Sequence, residues 1–455
     1  MGSTTAVVWF RRDLRLSDLP PLLAAADSAE QALALFVLDS RLLTPSGAPR
    51  RTFLYRCLRE LDEALGGRLL VARGDPVQVL PEVARSVDAH SVHISADYGP
   101  YGSRRDAAIA EALGEVELVS TGSPYAVAPG RVVKADGEAY RVFTPFHRAW
   151  AEHGWHTPAT TSKSTVDWIE PPAALRVPIP DDDELGDVAL PAAGERGARK
   201  RWKTFRDDGI DNYAERRDRT DLDETSRMSV HLKFGTVHPR TLLHDLRQRT
   251  GAGADTFRTE LAWREFYADV LYRRPDSARR NYDRRYDAIT YDSGAAARRD
   301  FDAWCAGRTG FPMVDAGMRQ LLAEGWMHNR LRMIVASFLV KDLHLPWWWG
   351  ARHFMTHLVD GDLASNQHGW QWTAGSGTDA SPYFRVFNPT TQGQKFDPDG
   401  AYVRRWVPEL RGIAGKAVHT LPDGPPRGYP EAMVDHRQER SVALQRFEAI
   451  KDSSR

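Results

Sequence analysis

Ala6-Val7-Val8-Trp9-Phe10 is a continuous apolar run of the length and composition of a strand buried on both faces. Similar runs follow at Leu33–Leu38, Arg68–Ala72 and Ser91–Ser95. Between and after them lie Pro20–Ala26, Arg50–Leu65, Val77–Val87 and Ser103–Leu113, where apolar residues return at helical spacing. Strand and helix in alternation predict an α/β domain with a Rossmann-like parallel sheet over residues 1–130. Over 131–195 the chain turns to Pro, Ala, Thr and Asp, including Glu170-Pro171-Pro172, Pro178-Ile179-Pro180 and the acidic Asp181-Asp182-Asp183-Glu184, which predicts an interdomain linker. From 196 to 455 amphipathic helices dominate, with Asp315 as a cap ahead of Met318–Leu322. The second domain is expected to be all-helical.

With 455 residues, two or three domains are expected. The 42% hydrophobic and 27% charged composition is globular. No apolar run nears the roughly 18 residues of a membrane helix, so a soluble chain with no membrane partner is expected. The start Met1-Gly2-Ser3-Thr4-Thr5 has neither a basic region nor a cleavage site. Cys57 and Cys305 stand far apart, excluding a disulfide framework or an all-cysteine cluster, and a reducing cytoplasm fits. No metal site is expected. The 61 basic and 61 acidic residues cancel, yet arginines pair at Arg216-Arg217, Arg273-Arg274, Arg279-Arg280, Arg284-Arg285, Arg298-Arg299 and Arg404-Arg405. Either a basic nucleic-acid face or ordinary solvated helix faces would account for them.

Nine of the fourteen tryptophans fall at or after Trp263, a density beyond what filling a helical core requires. Glu260, Trp263, Arg264 and Tyr267 recur at i, i+3, i+4 and i+7, so one helix face mixes acid, indole and guanidinium. A salt bridge would explain the pair Glu260 and Arg264; a site explains the whole face. In Trp326–Met333, Asn329 and Met333 lie one turn apart, an amide and a thioether that suit a base edge and its flat face. In Asp360–Trp372, two acids in a turn precede Asn366 and Trp370 at i, i+4. Regular oxygen-ligand spacing is missing, which argues against calcium.

These stretches, with Trp9–Leu16, Thr225–Ser229, Gly307–Pro312 and Tyr383–Pro389, make the sequence similar to the photolyase/cryptochrome family over nearly its whole length. The resemblance implies an α/β antenna-binding domain, a long linker and an all-helical domain that binds FAD. For FAD it implies Tyr213, Thr225, Ser226, Arg227, Met228, Ser229, Asn329, Arg332, Asp360, Asp362 and Asn366. Glu260 matches the carboxyl group that meets a cyclobutane pyrimidine dimer. Asn329 stands where (6-4) enzymes carry histidine, and Asn366 matches the residue facing flavin N5. Trp263 and Trp372 would flank a flipped-out dimer beside Met333, while Arg264, Arg330 and Gln392 would meet the damaged DNA. The implied activity is light-driven dimer repair in the first photolyase class, by a monomer, with a cryptochrome photoreceptor or a (6-4) enzyme as alternatives.

Two positions depart from the family pattern. The surface tryptophan of the electron-transfer triad falls on Tyr291, whereas Trp370 and Trp347 match the inner and middle members; Trp348 or Trp349 are alternative exits. Leu19 replaces the usual asparagine before proline in the antenna domain. Asp97–Asp106 resembles the subgroup that binds an 8-hydroxydeazaflavin antenna more than the methenyltetrahydrofolate subgroup.

Overall fold

The computed structural model describes residues 4–383 and 385–452. Met1–Ser3 and Phe384, which belong to the amino-terminal and Tyr383–Pro389 readings, lie outside the described residues. The strands β1 (Thr5–Phe10), β2 (Gln31–Leu38), β3 (Leu69–Arg73), β4 (Ala89–Ile94) and β5 (Glu117–Ser120) form a sheet in the order β3-β2-β1-β4-β5, every pairing parallel. The buried run of β1 is apolar on both faces because it lies in the middle of a parallel sheet. The four expected strands are present, each shifted by two residues or fewer at either end. β5 is a half-exposed edge strand without an apolar run to betray it, and two-residue β6 (Asp167–Trp168) pairs with the start of β2 from inside the expected linker. Helices Pro20–Ser28, Ala48–Ala64, Pro76–Ser86 and Pro100–Ala112 each carry proline in the first turn, where the missing N–H costs nothing.

The chain packs as two compact units. The first holds the described residues up to Leu185 with Pro191–Asp211 and Ser226–Pro275. The second holds Gly186–Leu190, Asn212–Thr225 and the described residues from Asp276 onward. These cuts differ from the expected 1–130, 131–195 and 196–455 division, because buried polar groups tie the middle of the chain to the sheet unit.

Within the first unit, the long helix Ala252–Arg273 turns one edge toward the linker. Glu265 is buried, and its carboxylate accepts the N–H groups of Ala126 and Val127 (3.0 Å) and the indole N–H of Trp150 (2.6 Å). Burial raises its pKa, while the indole and backbone donors pull the other way. One turn on, Asp269 accepts from Gly130 N (2.6 Å) and Arg273 Nε (2.8 Å). The linker therefore is not structureless. It contains the helix Phe143–His153, whose Phe143, Phe146 and Trp150 are buried at i, i+3 and i+7. Its Pro- and Thr-rich flanks mask that period in a compositional reading.

The loop after β1 is fixed in the same manner. Asp18 accepts from Arg240, Thr241 Oγ1 (2.8 Å) and Ala159 N (2.7 Å). Gly235 adopts φ +64°, and a Cβ there would sit 1.8 Å from the Arg12 carbonyl oxygen, so only glycine permits this approach. Leu19 opens the Pro20–Ser28 helix without a side-chain cap and is itself buried.

In the second unit, helices Pro312–Glu324, Asn329–Ser337, Trp347–His357 and Leu363–Ala374 surround a core that includes Trp304, Phe338, Trp347, Phe354 and Trp370. Asp315 is not the cap of the first of these helices. It lies inside the first turn, buried, and its carboxylate reaches back to Thr309 N (2.7 Å), Gly310 N (3.1 Å) and the Tyr429 hydroxyl (2.6 Å). The closing helix His436–Asp452 docks through Phe447 stacked on Tyr383 at 4.6 Å and through Glu439, which accepts from His344 at 2.8 Å.

Glu265→Ala strips the acceptor from three buried donors. An equilibrium urea titration is expected to show a loss of about 3 kcal/mol or more, with Glu265→Gln losing less because one amide oxygen still accepts.

Candidate functional site

The helix Leu363–Ala374 organises the candidate residues of the second unit. Asp362 caps it by accepting Ser365 N at 3.1 Å, and the preceding Asp360 is buried against it in sequence, its side chain 1% exposed. Arg332, on the Asn329–Ser337 helix, donates Nη2 to Asp360 Oδ2 (2.8 Å) and Nε to the Met327 carbonyl (2.8 Å). The other oxygen, Asp360 Oδ1, is buried with no hydrogen-bond partner among the described residues. A buried acceptor left open costs on the order of 1–3 kcal/mol, so this oxygen fits an N–H or O–H donor of a ligand. Flavin and its ribityl chain carry such donors.

Asn366 is held rather than loose. Its amide nitrogen donates to the Ala351 carbonyl (3.0 Å) and to Gln367 Oε1 (2.8 Å), which fixes the plane of the amide. Asn329, Arg332 and Met333 share the accessible side of their helix, with Asn329 exposed and the other two half-buried. Arg330 is committed to Asp218 (2.6 Å) and stacks over Phe396 at 4.4 Å. Gln392 is half-buried on the helix Pro389–Phe396. Tyr213 is buried at the start of a short helix with Arg217 over its ring, and Thr225 is half-buried.

Aromatic side chains continue from this helix. Trp370 packs edge-on against Phe354 (5.0 Å) and Trp304 (6.1 Å), and its indole N–H is buried without a partner among the described residues. A Cβ on Gly350 would lie 2.1 Å from the Trp370 ring, so glycine lets the two helices meet. Trp347 touches Trp348 at 5.9 Å, and Trp348 touches Tyr291 at 5.3 Å, both edge-to-face. The two candidate exits, Tyr291 and Trp348, thus lie in series. Trp349 leads elsewhere, to Phe301 (5.3 Å) and Arg298 (4.5 Å). Burial raises the Tyr291 phenol above its usual range, with Tyr383 and Asp287 adding to the effect. Sequence spacing offered no signal for Ala351, which acts through a main-chain carbonyl. Gly350, directly after three tryptophans, is a legible mark of close approach.

In the first unit, Glu260, Trp263, Arg264 and Tyr267 form a half-buried stripe on the Ala252–Arg273 helix, whereas Leu261, Ala262, Glu265 and Phe266 are buried. The expected face exists. Trp263 lies flat on Phe143 at 3.6 Å and 8°, which locks its ring. Arg264 donates to the carbonyls of Pro124 and Leu232, both at 3.2 Å, and covers the Tyr125 ring, so its fork is occupied by the protein itself. Arg227 sits at φ +52°, a conformation costly for a non-glycine residue, in the tight turn Ser226–Met228 that leads into Ser229–Phe234. Ser226 Oγ accepts Met228 N at 3.3 Å, Met228 is buried and Ser229 is exposed.

A doubly wound sheet binds ligands where its strand order reverses, here past the ends of β1 and β4. A cavity does lie there, lined by Arg11, Arg12, Asp13, Ser95, Asp97 and Pro124, but its volume is about 10 Å³. Arg11 pairs with Asp106 (2.7 Å) and Arg105 with Asp97 (3.4 Å) across it. A tricyclic antenna does not fit these side-chain positions. A larger cavity of about 330 Å³, lined by Trp155, His156, Leu243, His244, Arg247 and Arg258, contains none of the expected site residues.

The arginine pairs are mostly neutralised locally. Arg216 binds Glu224 (2.5 Å), Arg273 Asp269, Arg284 Asp287 (2.8 Å), Arg285 Asp283 (2.6 Å) and Arg405 Glu324 (3.5 Å). The acidic run is likewise taken up, Asp182 by Arg56 and Arg59 and Asp183 by Arg51. No helix among the described residues is long and apolar enough to cross a membrane.

Residues 6–163 match the family described as DNA photolyase, and residues 257–449 match the FAD binding domain of DNA photolyase. A deoxyribodipyrimidine photo-lyase of Streptomyces griseus is 41% identical, the match covering 96% of this chain and 98% of that protein. Among solved structures, a bacterial class III photolyase from Agrobacterium tumefaciens superposes with a TM-score of 0.89 at 35% identity, over 99% of this chain and 98% of the other. An archaeal photolyase from Sulfolobus tokodaii with two FAD molecules superposes with a TM-score of 0.84 at 28% identity, over 98% and 100%.

Gly350→Ala forces a methyl group into the Trp370 ring. The variant is expected to lose about 1–3 kcal/mol in thermal or urea unfolding and to shift the tryptophan emission, whereas Gly369→Ala, with open space around its Cβ position, leaves both nearly unchanged.

Proposed function

The chain belongs to the DNA photolyase family, and we propose that it splits cyclobutane pyrimidine dimers in ultraviolet-damaged DNA under near-ultraviolet or blue light, as a deoxyribodipyrimidine photo-lyase of the first class. The observation that carries this reading is the buried Asp360–Arg332 pair with its open Oδ1, next to a fixed Asn366, inside the stretch that matches the FAD binding domain. Held by these residues, fully reduced FAD would supply the light-driven electron transfer that opens the dimer.

The protein's own residues bind, orient and shield. Asp360 and Asp362 accept hydrogen bonds from the flavin and ribityl donors, and Arg332 places a cation beside a reduced, anionic ring. Asn366, its amide nitrogen held by Ala351 and Gln367, would offer its oxygen to the flavin. Tyr213, Thr225, Ser226, Arg227, Met228, Ser229 and Asn329 complete the cofactor's contacts. Glu260, on the half-buried stripe of its helix, offers its carboxyl group to the pyrimidine edge. Trp263, locked on Phe143, and the half-buried Trp372 and Met333 each offer an apolar face to a dimer. A dimer stacks poorly in its duplex, so extruding it costs less than extruding an intact base.

Phosphate contacts come from Gln392 and from arginines able to leave local partners, since Arg264 and Arg330 already hold protein acceptors. Binding weakens with salt through these contacts. Electrons that restore an oxidised flavin enter through Trp370 from Trp347, with Trp348 and Tyr291 next in line. An antenna of the 8-hydroxydeazaflavin type, which the Asp97–Asp106 motif favours over methenyltetrahydrofolate, requires Arg11 and Arg105 to release Asp106 and Asp97. The protein acts as a monomer in the cytoplasm, on damaged DNA. A cryptochrome photoreceptor would keep the flavin and aromatic residues but has no use for Glu260 on an accessible stripe, and a (6-4) enzyme lacks its histidine at Asn329.

Purified protein is expected to be yellow or blue, with a flavin spectrum, and to split thymine dimers in DNA when illuminated after reduction. Glu260→Ala should lower the yield about tenfold, the worth of one hydrogen bond to developing charge. Failure to split dimers with reduced FAD bound overturns the reading. Separately, Tyr291→Phe keeps the ring but removes the phenolic proton; slower flavin photoreduction is expected, and an unchanged rate removes Tyr291 from the path.

A further inference from the structure

The middle of the aromatic path has a polar branch that none of these roles uses. Trp347 is 0% exposed, and its indole Nε1–H donates to Asn281 Oδ1 at 2.9 Å. Asn281, 3% exposed, donates Nδ2 to Asp287 Oδ1 at 2.9 Å. Asp287 Oδ2 receives Arg284 Nη2 at 2.8 Å, and the Asp287 side chain, 40% exposed, reaches water. A buried indole is thus joined to a carboxylate at the surface through one amide. The inner Trp370 offers the opposite environment, its N–H buried with no partner among the described residues.

We infer that Asn281 and Asp287 are positioning residues that make Trp347 the easier of the two indoles to oxidise, so that charge separated at Trp370 moves outward. The inference rests on the electron path proposed above. Bound oxidised FAD would supply, on excitation, a one-electron acceptor for Trp370. One electron then passes from Trp347 to the oxidised Trp370, which returns to its neutral closed shell, and the positive charge resides on the Trp347 indole. That charge makes Nε1–H a far stronger donor, and its bond to Asn281 tightens into a charge-assisted one. The amide oxygen is too weak a base to take the proton, so the indole keeps it and only the electron moves. Asp287 polarises the amide from behind, raising the acceptor strength of Oδ1 by the same cooperativity that strengthens any hydrogen-bond chain in a dry interior. Arg284 holds the carboxylate in place. At Trp370, with no acceptor at its N–H, the charge has no such support.

The test uses the FAD-loaded protein and four variants. Trp347→Phe is expected to abolish the long-lived tryptophan radical in transient absorption. Asn281→Leu and Asp287→Asn are expected to keep bound FAD and shorten the lifetime of the separated charge about tenfold, the equivalent of one charge-assisted bond, with Asp287→Glu restoring it. A second readout needs neither light nor flavin chemistry: the indole N–H resonance of Trp347, assigned by its loss in Trp347→Phe, moves upfield in Asp287→Asn as the bond weakens. Should Asn281→Leu fail to fold, Asp287→Asn decides alone. An unchanged lifetime and resonance in Asp287→Asn, with Trp347→Phe still blocking the radical, overturns the relay and leaves the path intact. A radical that survives Trp347→Phe overturns the path on which the relay rests.

Discussion

A carboxylate removed from water must recover its lost hydrogen bonds, and Glu265 recovers them from residues more than a hundred positions away. That demand sets the course of the chain between the sheet and the helices of the first unit. Ala126 and Val127 come to the helix because their N–H groups are needed there, Trp150 because its indole is. The Phe143–His153 helix is drawn in with them, and Phe143 lands flat on Trp263. One buried acid therefore orders the opposite stripe of its own helix. Trp263 owes its fixed ring to Phe143, in the segment that Glu265 and Asp269 hold from the opposite side of the helix.

The second unit shows the same economy with the signs reversed. Asp360 is only half satisfied: Arg332 takes one oxygen and the other stays open. Folding does not tolerate many such groups, and those kept are where ligands bind. Trp370 repeats the pattern with an unpartnered donor. Around these open atoms the surroundings are rigid, since Gly350 allows the helices to close and Ala351 pins Asn366. Rigid walls with unsatisfied atoms are what a tightly held cofactor requires.

Much of this was legible in the sequence, and what was not has physical causes. The sheet was legible because β1 to β4 are buried on both faces and so are apolar without interruption. β5 and β6 were not, being a short edge and a two-residue bridge. The stripe Glu260–Tyr267 followed from helical periodicity alone, and its half-buried state agrees. Asp315 misled because acids near helix starts are usually caps; here the carboxylate turns back to Thr309 and Gly310, a choice set by tertiary contact with Tyr429. The arginine pairs left a nucleic-acid face and solvated helix faces both open, and the structure gives Arg216, Arg273, Arg284, Arg285 and Arg405 nearby carboxylates. FAD and the dimer came from resemblance to a family, because no spacing rule connects Thr225, Arg332 and Asp360.

The relay at Trp347 lies furthest from sequence reading. Residues 281, 287 and 347 share no motif, and asparagine before an arginine-rich turn reads as solvent-facing. Burial reverses that reading, because a buried amide must satisfy both its ends. Asn281 does so by pointing its oxygen at an indole and its nitrogen at a carboxylate, and in that orientation it can only lean negative potential toward the tryptophan. The opposite orientation would set its N–H₂ against the indole N–H, donor against donor. Satisfying the amide and biasing the electron path are thus one geometric requirement. A residue retained for packing alone would need neither Asp287 behind it nor Arg284 behind that. The three-residue chain from core to surface is what separates an electrostatic device from a plugged cavity.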